Sequence, residues 1–220
     1  MVRWLFASTR PNTEFAISFD LDVINLYEEF DKCEKTYFGV LTIENKKKLK
    51  KEKRIYELSC IEIPKQLPIQ IPFRHLTNLI QVDELNIEKT YKQFESEAKN
   101  EYDKKRLLTR ITCTKNWIEK YAPEDFKFSI IEEPKINLNE SQKAIVNAFI
   151  TLLENHNLTD EELHKEFYTI SEKHNIKAPE FFKLMYNIIV NKDRGPKLAS
   201  FILTIGKTRV INILKKSTKQ

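Results

Sequence analysis

Three glycines in 220 residues is the feature that most restricts how this chain can fold. Two-residue β-hairpins draw on Gly and Asn-Gly turns to reach positive φ, and a sandwich or barrel needs many such turns. A chain with so few glycines and with long runs of Lys, Glu and Leu is expected to be helical, because those residues lose little side-chain freedom in a helix. With 41% hydrophobic and 31% charged residues it carries enough apolar material for one large domain or two small cores. The fold class read from these facts is all-α.

Local patterns divide the chain. "VRWLFAS" is predicted to be a short helical turn stopped at Pro11, and "PNTEFAISFD" an irregular stretch. In "DVINLYEEFDKCEKTYF" the residues Val23, Leu26, Tyr27, Phe30, Cys33 and Tyr37 recur at helical spacing, with Gly39 placed for the exit. Asp20 and Asp22 read as helix capping rather than as metal ligands. A lysine run leads into "KRIYELS", the end of a charged helix. Pro64, Pro68 and Pro72 then exclude helix until Pro72 opens "FRHLTNLIQV" as its first residue. Two further helices follow, the second with a stripe of Leu107, Ile111, Thr114 or Lys115, and Ile118. Asn139 with Gln142, and Thr159 with Glu162, are capping-box pairs, and Leu158 and Leu163 hold staple positions. Pro179 starts the next helix, the Gly195-Pro196 step opens another, and Gly206 separates it from the last. The predicted organisation is a looser helical region over 1–123, a connector over 124–137 and a compact bundle over 138–220.

Chemistry is sparse. There is no Gly-rich phosphate loop and no nucleophile elbow. Cys33, Cys60 and Cys113 form no Cys-x-x-Cys pair, and the four histidines complete no metal spacing, so neither a disulfide nor a metal site is expected. His164 and His174 lie ten apart and share no helix patch. No apolar run reaches the length of a membrane span and no signal peptide is evident, which makes the cytoplasm the expected location.

Charge is more informative. The net charge is +5, and "KKKLKKEKR" from Lys46 to Arg54 holds seven cations against one acid. Lys192, Arg194, Lys197, Lys207 and Arg209 surround Asp193 alone. With Pro196 as a first helical residue, a helix N-terminus ringed by these cations would attract a phosphate. Trp117 and Phe201 are candidate rings for stacking unpaired bases. His75, beside Arg74 at a helix start, is a further candidate contact.

The segments "VRWLFASTRPNTEFAISFDLDVINLYEEFDKCEKTYFG", "EKRIYELS", "PIQIPFRHLTNLIQ", "KNWIEKYAPEDFKF" and "NKDRGPKLASFILTIGK" occur in this order. In that order they resemble the C-terminal part of class I lysyl-tRNA synthetases, the archaeal and some bacterial enzymes that are similar to glutamyl-tRNA synthetases. The resemblance covers essentially the whole chain. It implies a helical stem-contact region followed by helix-cage anticodon-binding bundles, lysine tRNA as partner, and a catalytic half that binds ATP, lysine and zinc. The family's His-Ile-Gly-His-like and Lys-Met-Ser-Lys-Ser-like signatures are not in this sequence, so the chain is read as a C-terminal half without a cofactor of its own. Arg54, Arg74, His75, Arg110, Trp117, Lys192, Arg194, Lys197 and Arg209 are the expected RNA contacts. A helical protein-interaction module docking on a separate catalytic subunit, with an exposed apolar patch near residues 1–20, is the alternative.

Overall fold

The computed structural model describes residues 2–10, 14, 16 and 18–219. The stop expected at Pro11 lies outside the described residues, as does much of the irregular stretch after it. Among the described residues there are eleven α-helices, one 3-10 turn and no strand. They form two compact units, Met1–Glu124 and Asp125–Gln220.

The first unit contains α1 (Val2–Ser8), α2 (Asp22–Tyr37), α3 (Lys46–Ser59), α4 (Phe73–Val82), α5 (Ile87–Phe94), a 3-10 turn (Glu95–Glu97) and α6 (Glu101–Lys120). Asparagines start three of these helices. Asn45, Asn86 and Asn100 each accept a backbone N–H of the first turn, satisfying donors that have no partner within the helix. Before α2, the Asp20 carboxylate accepts the Asp22 N–H at 3.0 Å, which lowers its pKa. Pro72 precedes α4 as its cap and is not its first helical residue.

Helix ends show how the chain manages with three glycines. Gly39 closes α2 at φ 74°, with Val40 N–H on Lys35 C=O and Gly39 N–H on Thr36 C=O, a Schellman pattern. The ends of α4 and of the later helix 160–173 make the same pair of bonds with Glu84 (φ 58°) and Asn175 (φ 54°) in the glycine position.

Phe73 centres one core, stacked on Tyr27 at 4.1 Å between centroids and edge-on to Trp117 at 6.0 Å. Trp4, Cys33, Ile55 and Tyr56 form a second cluster where α1 and α2 pack on α3. Two carboxylates of α2 tie the unit together. Asp31 receives both terminal nitrogens of Arg110 at 2.6 and 2.8 Å, and Arg110 also donates to Ile71 C=O. Glu34, fully buried, accepts from Tyr56 Oη, Gln70 Nε2 and Arg106. These side chains hold the proline-rich segment 61–72, whose extended backbone has no helical partners and must be satisfied otherwise.

The second unit has α7 (Glu140–Asn155), α8 (Asp160–Lys173), α9 (Ala178–Val190), α10 (Leu198–Ile205) and α11 (Lys207–Ser217). Both expected capping boxes are present, at Asn139/Gln142 and Thr159/Glu162. Phe149, Phe167 and Phe181 meet in the core at centroid distances of 5.4 to 5.7 Å. Residues 125–137 run along this unit. Ile131 N–H donates to Ile189 C=O at 2.8 Å, and Phe128 sits edge-on to Phe201.

Candidate nucleic-acid interface

The Gly195-Pro196 step is not the start of a helix. α10 begins at Leu198 with Lys197 as its cap, two residues later than the sequence suggests. The reason is the Tyr186 ring of α9. A Cβ on Gly195 would stand 2.9 Å from Tyr186 Cε1, so any larger residue would force the loop or the ring to shift. The Tyr186 hydroxyl donates to Pro196 C=O, and burial pushes the phenol up to about 12. Glycine here serves a close approach, and the proline carbonyl serves an anchor.

The cations around this step do not converge on one empty anion position. Arg194 pairs with Asp125 at 3.0 Å, Lys197 with Asp160 at 2.7 Å, and Arg209 with Glu132 at 2.7 Å. Lys192 donates to Lys127 C=O. Lys207 donates to His156 C=O and Asn157 Oδ1. Lys192, Arg194 and Arg209 thus fasten segment 125–132 to the loop and to α11, and Lys197 ties α10 to the start of α8, lowering the Asp160 pKa. The Arg194 pair is open to water, with side chains 80% and 65% exposed. Such a pair contributes only about 0–1 kcal/mol, so Arg194 can exchange Asp125 for a phosphate at small cost.

Two expected contacts, Arg110 and Trp117, and the candidate stacking ring Phe201 are core residues. Arg110 is 6% exposed and occupied by Asp31 and Ile71. Trp117 is 4% exposed, with its indole N–H on Phe19 C=O. Phe201 is 1% exposed. None of the three offers a surface to a phosphate or a base. Arg74 is exposed and pairs with Glu28 at 3.2 Å. His75 lies against Phe94, and the desolvation lowers its pKa, which favours the neutral ring. Arg54 is exposed and pairs with Glu57.

The geometry also brings forward a residue that sequence reasoning passed over. Tyr168 on α8 is 45% exposed, the one large aromatic so exposed among the described residues of the second unit, and it packs with His164 and Phe182. No sequence signal separates it from the buried Phe167 beside it except its turn on the helix wheel. In the first unit, where the sequence suggests an apolar patch near residues 1–20, Val2, Phe6, Phe19 and Leu21 are exposed, and Val2 and Phe19 line a mostly apolar cleft of about 280 Å³ with Leu5, Val23, Leu26 and Tyr121 among others. Among the described residues no group of three or more His, Cys, Asp or Glu could hold a metal. Among the described residues no helix is long and apolar enough to cross a membrane.

Comparison with known proteins adds the following. Residues 1–62 match the family described as tRNA synthetases class I (K), and residues 119–217 match the anticodon binding domain family. A lysine–tRNA ligase of Borreliella burgdorferi is 43% identical over 221 residues, covering 98% of this chain and 42% of the relative. That of Thermococcus kodakarensis is 36% identical over 222 residues, covering 98% and 42%. That of Treponema pallidum is 34% identical over 221 residues, covering 97% and 41%. The chain thus spans about two-fifths of the length of the curated relatives it matches, in their C-terminal part.

Proposed function

Because the chain belongs to the class I lysyl-tRNA synthetase family, we propose that it is the tRNA-binding portion of such an enzyme, recognising the anticodon of lysine tRNA through its second unit. The observation that carries this reading is the near coincidence of the anticodon-binding match, residues 119–217, with the compact unit Asp125–Gln220. Aminoacylation, with its ATP and lysine, belongs on this reading to a catalytic part with the family's nucleotide-binding signatures, and the work is done in the cytoplasm. Arg194, Lys197 and Arg209 set register on phosphates by leaving their exposed carboxylate partners, and Tyr168 stacks on an unpaired base.

The test is binding of the full chain to lysine tRNA and to the same tRNA with a changed anticodon, across a salt series. Preference for the lysine anticodon is expected to survive at moderate salt. Tyr168→Ala should remove about 1–3 kcal/mol of binding, the usual worth of one stacked base. Equal affinity for both tRNAs at every salt concentration would reject anticodon recognition.

The exposed Val2, Phe6, Phe19 and Leu21 favour a second reading for the first unit, as a docking surface for the catalytic part. The two readings concern different units and are compatible.

A further inference from the structure

Several cations that the second unit would offer to RNA are met first by acids of one segment of the same unit. Residues 125–133 form no helix or strand. Asp125 Oδ2 accepts from Arg194 Nη2 at 3.0 Å, and Glu132 Oε1 accepts from Arg209 Nε at 2.7 Å. Glu133 Oε1 lies 3.6 Å from Lys216 Nζ, which also donates to Glu132 C=O at 3.1 Å. All three acids are exposed.

Other contacts hold the segment in place. Ile131 N–H donates to Ile189 C=O at 2.8 Å, the Phe128 ring centroid stands 5.0 Å from that of Phe201, and Pro134 is buried. Backbone bonding and apolar packing thus fix the chain, while the carboxylates stay in water. An exposed ion pair adds little to a fold, because water screens it and two long side chains lose freedom in making it. Lys197 differs. Its partner Asp160 belongs to α8 and also accepts Ser200 Oγ at 3.1 Å, so that pair joins two helices. For binding, the segment's pairs matter more than they do for folding. Carboxylate and phosphate oxygens accept from the same guanidinium and ammonium donors. An RNA phosphate at Arg194 or Arg209 must therefore displace Asp125 or Glu132, or stand beside its negative charge. Because the segment is part of the same unit, its acids are at high effective concentration before any ligand arrives.

We propose that segment 125–133 is a built-in competitor of the second unit: Asp125, Glu132 and Glu133 stand in for phosphates on Arg194, Arg209 and Lys216 and lower the unit's affinity for RNA. Phosphate contacts carry no sequence information. Partial neutralisation of these cations therefore weakens every RNA alike and leaves discrimination to the contacts with bases. That the polyanion is RNA rests on the tRNA-binding reading above; that carboxylates already hold the cations rests on the ion pairs alone.

The experiment uses the full chain with Asp125→Asn, Glu132→Gln and Glu133→Gln together. A control carries Glu140→Gln, Glu154→Gln and Glu180→Gln, exposed acids of the same unit, and alters net charge equally. Affinity for lysine tRNA and for the same tRNA with a changed anticodon is measured from about 50 to 200 mM salt. Each exposed pair should restrain its cation about twofold, within the usual range for such pairs, so the triple variant should bind both tRNAs about tenfold more tightly at about 50 mM. The gain should shrink toward the high-salt end, where acids and phosphates are screened alike. The control should gain far less. Asp125→Asn alone should gain about twofold in the parent and nothing in an Arg194→Ala background. The urea midpoint of the triple variant should stay near the parent's, since the segment is anchored elsewhere. No gain, a loss, an equal gain in the control, or an Asp125→Asn gain that persists without Arg194 overturns the competitor. Preference for the lysine anticodon without a gain overturns it and leaves anticodon recognition standing. A gain without preference leaves the competitor standing and sinks anticodon recognition. No binding by the parent at the lowest salt sinks both.

Discussion

Gly195→Ala should destabilise the second unit although the residue lies in a loop and has no positive φ. The added Cβ would sit 2.9 Å from Tyr186 Cε1 and 3.0 Å from Cδ1, against the 3.5–4.0 Å of an optimal carbon contact. Half an ångström or more must be recovered by moving the loop or the ring. The ring is poorly placed to move, being 7% exposed, with its hydroxyl bonded to Pro196 C=O on the same loop. Overpacking of this kind costs about 1–3 kcal/mol. Urea unfolding of the full chain followed by far-UV circular dichroism reads both units, whereas tryptophan fluorescence reads the first, since Trp4 and Trp117 both lie there. The loss should appear in the dichroism transition and should vanish in a Tyr186→Leu background, where the ring is gone. A Gly195→Ala chain within about 0.5 kcal/mol of the parent, or one whose loss persists in Tyr186→Leu, would refute the close-approach argument.

Two further outcomes follow from the geometry. Arg110→Met should cost about 3–5 kcal/mol in a urea melt, because it leaves Asp31 charged, buried and without its bidentate partner. A loss below about 1 kcal/mol would mean that Asp31 finds water or another donor. Asn175, exposed at φ 54° after α8, should tolerate Gly, and the Ala variant should be less stable than the Gly variant by about 1–2 kcal/mol, the usual penalty of a left-handed β-carbon; equal melts for the Gly and Ala variants would contradict it.

Helix starts were legible in the sequence because their signals are local. Asn139 and Gln142, or Thr159 and Glu162, stand three residues apart and satisfy one another within a single turn, so spacing alone identifies them. Helix ends were half legible. Gly39 and Gly206 mark two of them, but Glu84, Asn175 and Asn191 take the left-handed position elsewhere, and Glu84 belongs to no turn signature. The cations around Gly195 were visible as a cluster but not as a lattice of ties, because their partners lie far off along the chain: Arg209 meets Glu132 and Arg194 meets Asp125, pairings that only the packing of 125–137 on its unit creates. The same distance misplaced Arg110, whose partner is Asp31 across α2 and α6.

This difference separates two kinds of positive charge. A cation whose carboxylate is supplied by the fold, such as Arg110, is part of the structure, and its loss is felt as stability. A cation held by an exposed carboxylate, such as Arg194, is only weakly committed to the fold. The α3 lysines are a third case: their neighbours along the helix are other cations, so the fold gains little from them and pays electrostatically to keep them in one face. Sequence singled out Arg54 from that run, yet Arg54 has a carboxylate partner in Glu57, and the lysines beside it carry the uncompensated charge. Replacing those lysines should therefore leave unfolding unchanged or raise its midpoint, while replacing Arg110 lowers it. The contrast in sign between two sets of cations within one unit separates charge that the fold uses from charge that it does not.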